Sequence, residues 1–523
     1  MIRPDPEPRA LLAALPSRLH DAVFAQAARA ASALAVSDSS GAWNFAELET
    51  AARSAASWLV GAGVRGGDRV VLITENCREA AALLLACSMT DAWAVMVNAR
   101  ASASEIQGFV ESSSPRLICA VLASVQARAH AAHFSLLATE IEGLGRIAAN
   151  AAEESVAAEP VHADAARQIA VLIYTSGSSG APKGVMLTHR NLLYMAAVSG
   201  AIRGLGPIDK MLGLLPISHS VGLSVVLLGA LMHGASVNLI ARFSPPIVLK
   251  AFAEGGVTVA LGAPAMLSLL LDYAAQRGQT EILAPNLRII SVSGAPLERD
   301  LKNRAEAFFQ LSIHHGYGIT ECGPTIAQIR PGAERADCSV GPILPGVEMR
   351  FLDRDGADMP LGQTGELVVR SPGVMLGYYR DPDRTREVLG GEGWFRTGDL
   401  ARLDGDDLIL EGRAKDLIIR FGFNVSPGEV EAVLAGHPAV LHAAVIGRPS
   451  AEGEEILAFV VPRTGFSIDL TSLAQHAAEH LASYKRPTRF FTLASLPVTP
   501  TGKILKHALL DEADAKSRLV EAV

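Results

Sequence analysis

Hydrophobic positions along this chain fall into short unbroken runs that alternate with longer helical patches. Ile169-Ala170-Val171-Leu172-Ile173 is short and branched enough to be a buried strand. Val70-Val71-Leu72-Ile73 precedes an apolar stretch at 80–85, Val257-Thr258-Val259-Ala260 precedes one at 266–270, and Leu287-Arg288-Ile289-Ile290 precedes Leu297-Glu298-Arg299. Strand-like and helical runs in strict alternation predict parallel sheets covered by helices. The most apolar stretch, 221–240, is broken by Gly222, Gly229, His233 and Gly234, so it reads as a buried helix leading into a strand and not as a membrane span. Residues 340–411 change character, with short strands and the turns Gly341-Pro342, Asp355-Gly356 and Asp404-Gly405, which predicts an antiparallel or barrel-like β subdomain. A boundary falls at Arg413-Ala414-Lys415-Asp416. The expected architecture is α/β: a large N-terminal domain (1–414) of helix-covered, mainly parallel sheets that includes the β-rich 340–411, then a small α+β domain (415–523).

Composition narrows the classes. With 523 residues, 49% of them hydrophobic and 19% charged, the chain has material for two or three packed units. A net charge of -8 and the lack of a basic run argue against a nucleic-acid partner. The mean hydropathy of +0.27 reflects abundant alanine more than a spanning segment, and Met1-Ile2-Arg3-Pro4-Asp5-Pro6 lacks an apolar signal core. Cys77, Cys87, Cys119, Cys322 and Cys338 show no C-x-x-C spacing and are odd in number. Free thiols in a reducing compartment, the cytoplasm, are the expectation.

The chemistry concentrates in Tyr174-Thr175-Ser176-Gly177-Ser178-Ser179-Gly180-Ala181-Pro182-Lys183-Gly184. Glycines allow close backbone approach, hydroxyls and amides donate hydrogen bonds, and Lys183 adds positive charge, so phosphate is the ligand that suits the loop. A Walker A loop needs Gly-Lys followed by Ser or Thr; here Pro182 precedes the lysine and Gly184 follows it. Beyond the loop, Thr188 reads as the N-cap of a helix through 191–195.

This loop resembles the signature of the adenylate-forming superfamily, which includes acyl- and aryl-CoA synthetases, firefly-type luciferases and peptide-synthetase adenylation domains. Further stretches match in order: Gly316-Tyr317-Gly318-Ile319-Thr320-Glu321, Gly393-Trp394-Phe395-Arg396-Thr397-Gly398-Asp399-Leu400, Gly412-Arg413-Ala414-Lys415-Asp416-Leu417 and Pro500-Thr501-Gly502-Lys503-Ile504. Gly66-Gly67-Asp68-Arg69-Val70 resembles the family's first helix-to-strand turn. The resemblance implies an ATP-dependent acid–CoA ligase with a mobile C-terminal domain. A carboxylate attacks the α-phosphorus of ATP, pyrophosphate leaves, and the thiol of CoA then displaces AMP.

It also implies roles. Thr175, Ser176, Gly177, Ser178, Ser179, Gly180 and Lys183 would hold ATP phosphates, Glu321 would bind Mg2+, and Thr320 would touch phosphate. Tyr317 would stack on adenine, with Gly294, Ala295 and Pro296 on the other side of the base. Asp399 would accept the ribose hydroxyls, and Arg413 would lie near ribose and phosphate. Lys415 would be the hinge, Gly422 and Phe423 would line the pantetheine tunnel, Lys503 would contact the carboxylate and α-phosphate, and His219 would gate the acyl carbon. The expected partners are a small carboxylic acid, ATP and CoA, with no nucleic acid and no membrane span; a homodimer is allowed for. Cys322 is read as packing.

No acid lies between Ile217 and Leu223, against an amino-acid substrate. The segments expected to wall the acyl pocket (218–226, 261–266, 314–316 and 323–326) are mainly small and apolar. They suit an uncharged aryl or aliphatic acid. His315 replaces a commonly found Gln and is a candidate for tuning specificity. Alternative readings are transfer of the adenylate to a carrier-protein phosphopantetheine and an inactive nucleotide-binding paralogue.

Overall fold

The computed structural model describes residues 5, 7–175, 182–282, 284–420, 423–450, 453–463, 465–497, 504–506 and 508–513. Internal contacts divide the chain into two units: Met1–Ser293 with Arg299–Glu348 and Val369–Phe395, and Gly294–Glu298 with Met349–Val368 and Arg396–Val523.

In the first unit, the strand Arg69–Thr74 is buried at all six positions. An apolar run with no polar face belongs at the centre of a sheet covered on both sides. Parallel neighbours Trp93–Asn98 and Leu117–Val121 flank it. This sheet has seven strands, and its far edge is Ile169–Thr175 followed by Lys183–Thr188. A second sheet of eight strands places Lys210–Gly213, Val259–Gly262, Ile289–Val292 and Ile313–Tyr317 side by side and parallel. The stretch from 221 becomes a buried π-helix, Val221–Leu228, a short α-helix, Gly229–Met232, and the strand Ser236–Leu239, as its pattern predicts.

The alanine runs have a packing purpose. Helix Phe45–Gly61 buries Leu48, Ala51, Ala52, Ala55, Ala56 and Leu59. Asn44 caps it by accepting the Glu47 N–H at 2.8 Å, while the Glu47 carboxylate accepts the Asn44 N–H at 2.8 Å. Small side chains let it approach helix Arg78–Met89 closely. Among the described residues no helix is long and apolar enough to cross a membrane.

Asn76, buried just beyond strand Arg69–Thr74, ties the two sheets together. Its Nδ2 donates to the carbonyls of Gly213, Leu215 and Ile240 at 3.1, 3.0 and 3.2 Å, and its Oδ1 accepts the Ile217 N–H at 2.8 Å. One buried amide thereby satisfies the backbone of the turn that leads to His219.

In the second unit, Glu348–Leu352, Gly365–Arg370, Phe395–Asp404 and Asp407–Arg413 form an open four-stranded sheet, with Glu348 and Val369–Phe395 assigned to the first unit. The barrel-like expectation is therefore corrected to an open sheet among the described residues. The remaining strands, Ile418–Arg420, Phe423–Val425, Val440–Ser450, Gly453–Pro462 and Arg489–Thr492, make a five-stranded sheet. Its core joins Val445, Ile456, Ala458 and Val460 to Val430, Leu434, Leu473 and Ala477 of the helices Pro427–Ala435 and Leu470–His480.

Candidate active site

Thr175 and Lys183 are direct cross-strand partners where two antiparallel strands leave for and return from the glycine-serine loop. Ser176, Gly177, Ser178, Ser179 and Gly180 lie outside the described residues. A return strand, Lys183–Thr188, separates the loop from its helix, because Gly184, Val185, Met186 and Leu187 pair with Tyr174, Ile173, Leu172 and Val171. Helix His189–Arg203 then starts at Thr188 as expected, with Thr188 Oγ1 accepting the Asn191 N–H at 3.1 Å.

Lys183 Nζ sits 5.1 Å from the centre of the Tyr378 ring. The Tyr378 hydroxyl donates to Glu321 Oε1 at 2.9 Å. Burial, and then the negative charge of Glu321, push the Tyr378 phenol well above its ordinary pKa, so it remains a donor. One aromatic residue thus spaces a cation from a carboxylate. Beside Glu321, Thr320 Oγ1 and Ser220 Oγ share a buried hydrogen bond of 3.0 Å. This joins the short turn Thr320–Cys322 to the residue following His219.

His219 accepts the Val221 N–H on Nδ1 at 3.3 Å, and its own N–H donates to Pro216 O at 2.9 Å. Burial lowers its pKa, keeping the ring neutral with its proton on Nε2. Tyr317, largely buried, ends the strand Ile313–Tyr317. The next residue must be glycine, since a Cβ on Gly318 would stand 1.8 Å from Pro324 O. Tyr317, Thr320, Glu321 and His219 all lie just beyond the carboxyl ends of parallel strands, where open α/β sheets bind ligands.

The second unit carries its own pair. Asp399 and Arg413 face each other across adjacent antiparallel strands, with Arg413 Nε 2.9 Å from Asp399 Oδ1. Thr397 Oγ1 accepts the Asp399 N–H at 3.0 Å and donates to Leu367 O at 2.7 Å, which fixes the turn. Lys415 is exposed in the short turn Ala414–Asp416. Gly294 adopts φ +87°, a left-handed conformation that favours glycine, with Ala295 and Pro296 following it. Phe423 opens the strand Phe423–Val425; Gly422 and Lys503 lie outside the described residues.

A narrow pocket adjoins the His219 turn. Val221, Val225, Leu261, Val292, Gly316 and Thr325 contribute to its walls, largely as the apolar segments suggested. Its lining also includes Arg203, Ser291 and Gln328, from stretches not anticipated as pocket-forming, which add a cation and polar groups to the mainly small and apolar walls expected. Of His314, His315 and Gly316, only Gly316 is part of its lining; His315 Nδ1 is 3.2 Å from Cys338 O.

Sequence reasoning passed over Tyr378, Asn76 and Ser220. Tyr378 had a usable signal: aromatics are 5% of the chain, and Tyr378-Tyr379 is an adjacent pair of them. Asn76 and Ser220 had none, because their importance lies in partners distant along the chain.

The sequence profile described as AMP-binding enzyme matches residues 23–379, and that of the AMP-binding enzyme C-terminal domain matches 429–503. The chain belongs to the AMP-binding enzyme family. Members of this family similar to it include the sulfoacetate–CoA ligase of Cupriavidus necator, 33% identical over 91% of this chain and 94% of that protein. The 4-coumarate–CoA ligase of Pinus taeda is 31% identical, covering 90% of each. Among solved structures, ATP-bound MatB from Rhodopseudomonas palustris superposes with a TM-score of 0.83 at 29% identity, covering 94% of this chain and 98% of that one. The similarity of this AMP-binding enzyme to its relatives thus extends along nearly its whole length.

Proposed function

We propose that this protein is an ATP-dependent acid–CoA ligase whose reaction is divided among the residues above. A carboxylate oxygen bonds to the α-phosphorus of ATP as the bond to pyrophosphate breaks. The CoA sulfur then bonds to the acyl carbon as the bond to AMP breaks, and the thiol proton passes to solvent. Both steps need oppositely placed charge and little else, so positioning and electrostatics carry the rate. Relatives named as CoA ligases across nine-tenths of the chain support this reading.

The observation that carries it here is the Lys183–Tyr378–Glu321 arrangement. Lys183 binds the phosphates leaving the α-phosphorus. Glu321, one oxygen held by Tyr378, suits Mg2+: it is a hard oxygen donor, and among the described residues no cage of three acidic, histidine or cysteine side chains competes for a metal. Mg2+ is commonly bound by one or two carboxylates together with substrate phosphates. When bound there it would neutralise phosphate charge. Tyr317 stacks on adenine, Asp399 accepts the ribose hydroxyls, Arg413 holds Asp399 in place, and neutral His219 borders the acyl carbon. Lys415 is the hinge between a domain ending at 414 and the remainder. The five free cysteines favour a reducing, cytoplasmic setting.

A panel of carboxylic acids, followed by pyrophosphate and AMP release with and without CoA, tests the assignment. CoA-dependent AMP release with one acid class is expected. Pyrophosphate release without a CoA thioester would instead indicate a carrier-protein acceptor, and no release with any acid would indicate an inactive paralogue.

A further inference from the structure

Arg203 is the last residue of helix His189–Arg203, and it is only 3% exposed. Its Nη1 donates to Ser199 O at 3.0 Å and Ser199 Oγ at 2.6 Å, and its Nη2 donates to Gln328 Oε1 at 2.5 Å. All these partners are uncharged. Its Nε is buried and has no acceptor among the described residues. The one charged group that perturbs it is Arg330, of like sign. Arg330 is already paired, at 2.9 Å, with Asp5. Burial and Arg330 lower the Arg203 pKa to about 9, so the guanidinium remains cationic at neutral pH.

Two neighbours repeat the pattern. Gln328 gives its oxygen to Arg203, and its Nε2 is buried with no acceptor among the described residues. Ser291 Oγ, on strand Ile289–Val292, is likewise buried with no partner among the described residues. All three residues line the pocket bounded by Val221, Val225 and Gly316. Buried polar groups are ordinarily satisfied, and a buried charge without a counterion is costly. A pocket with a cation and spare donors, and among the described residues no anion in its lining, is matched by a ligand that brings the anion.

The reacting carboxylate cannot serve as that anion, because it loses its charge on becoming an adenylate. Val221 and Val225 also place the pocket along the helix that begins beside Ser220 and Thr320.

We propose that the acid activated here is a dianion, with a second carboxylate or a sulfonate opposite the reacting carboxylate, and that Arg203, assisted by Gln328 and Ser291, binds this second group. The proposal rests on the ligase reading, and the apolar walls then hold only the connecting carbons.

The test compares matched acids with the full-length protein, following CoA-dependent AMP release: propionate against succinate, and acetate against malonate and sulfoacetate. At least one dianion should exceed its monoanionic counterpart in kcat/KM by about a hundredfold, the size expected for a buried charge-assisted pair. The better of the carboxylate and sulfonate arms identifies the group. Arg203→Met should lower the dianion-to-monoanion ratio by a similar factor, mainly through KM, and Arg203→Lys should recover part of it. Monoanions preferred by the native protein, or an Arg203→Met variant with an unchanged ratio, would overturn the proposal while leaving the ligase intact. No release with any acid would defeat the ligase reading itself. If Arg203→Met does not fold, Gln328→Leu and Ser291→Ala decide the matter. A ratio lowered about tenfold by each supports the proposal, and an unchanged ratio overturns it.

Discussion

Tyr378 holds two oppositely charged groups through different parts of one side chain, its ring face toward Lys183 and its hydroxyl on Glu321. The two functions separate cleanly by substitution. Tyr378→Phe keeps the ring for Lys183 and removes the donor from Glu321. A hydrogen bond to a charged group is worth about 1.5–3 kcal/mol, so kcat/KM should fall at least tenfold and the Mg2+ concentration giving half-maximal rate should rise. Steady-state kinetics across a Mg2+ titration check this, and an unchanged Mg2+ dependence would remove Tyr378 from the site. At this scale the chemistry was unevenly legible. Glu321, Asp399 and Arg413 stand in local motifs that can be read along the chain. Tyr378 reaches Glu321 across 57 positions of sequence, and Asn76 reaches Ile217 across 141. No local pattern encodes contacts that only the fold creates.

Whole elements were more legible where one physical cause dominates. The apolar run 169–173 became the strand Ile169–Thr175, and the glycine-broken stretch from 221 became a buried helix followed by a strand. The return strand Lys183–Thr188 left no separate signal, since its six residues run directly from the loop signature into the helix cap at Thr188. The π-helix Val221–Leu228 was likewise invisible as such, because its wider hydrogen-bond spacing leaves no mark in a uniformly apolar segment. Gly222 explains how that helix can begin so close to the His219 turn. A Cβ there would lie 2.1 Å from Pro216 O and 2.6 Å from Pro216 C. Gly222→Ala must therefore part the helix from the turn that His219 occupies. Overpacking of this kind costs about 1–3 kcal/mol, visible in chemical denaturation. KM for the acid should rise while KM for ATP changes little, and an acid KM equal to that of the native protein would dissociate Gly222 from the acyl site.

At the scale of the molecule, the proposed catalytic groups are shared between two separately packed units. Lys183, His219, Thr320 and Glu321 belong to the first, and Asp399, Arg413 and Lys415 belong to the second. A ligase has two half-reactions with different demands. Adenylation must offset the charge of a carboxylate approaching a phosphate, whereas thioester formation begins from an adenylate in which that carboxylate is already neutralised. A lysine that serves by meeting the carboxylate and α-phosphate is therefore needed once. Lys503→Ala should lower acyl-adenylate formation by about 10²–10³-fold, the usual cost of losing one donor to developing negative charge. Conversion of a supplied acyl-adenylate to the thioester should be largely retained. Glu321→Ala is the control for a loss in the ATP-dependent step that arises in the first unit. Single-turnover measurement of each half-reaction distinguishes the outcomes, and equal loss of both in Lys503→Ala would show that Lys503 supports the enzyme as a whole and not the adenylation step.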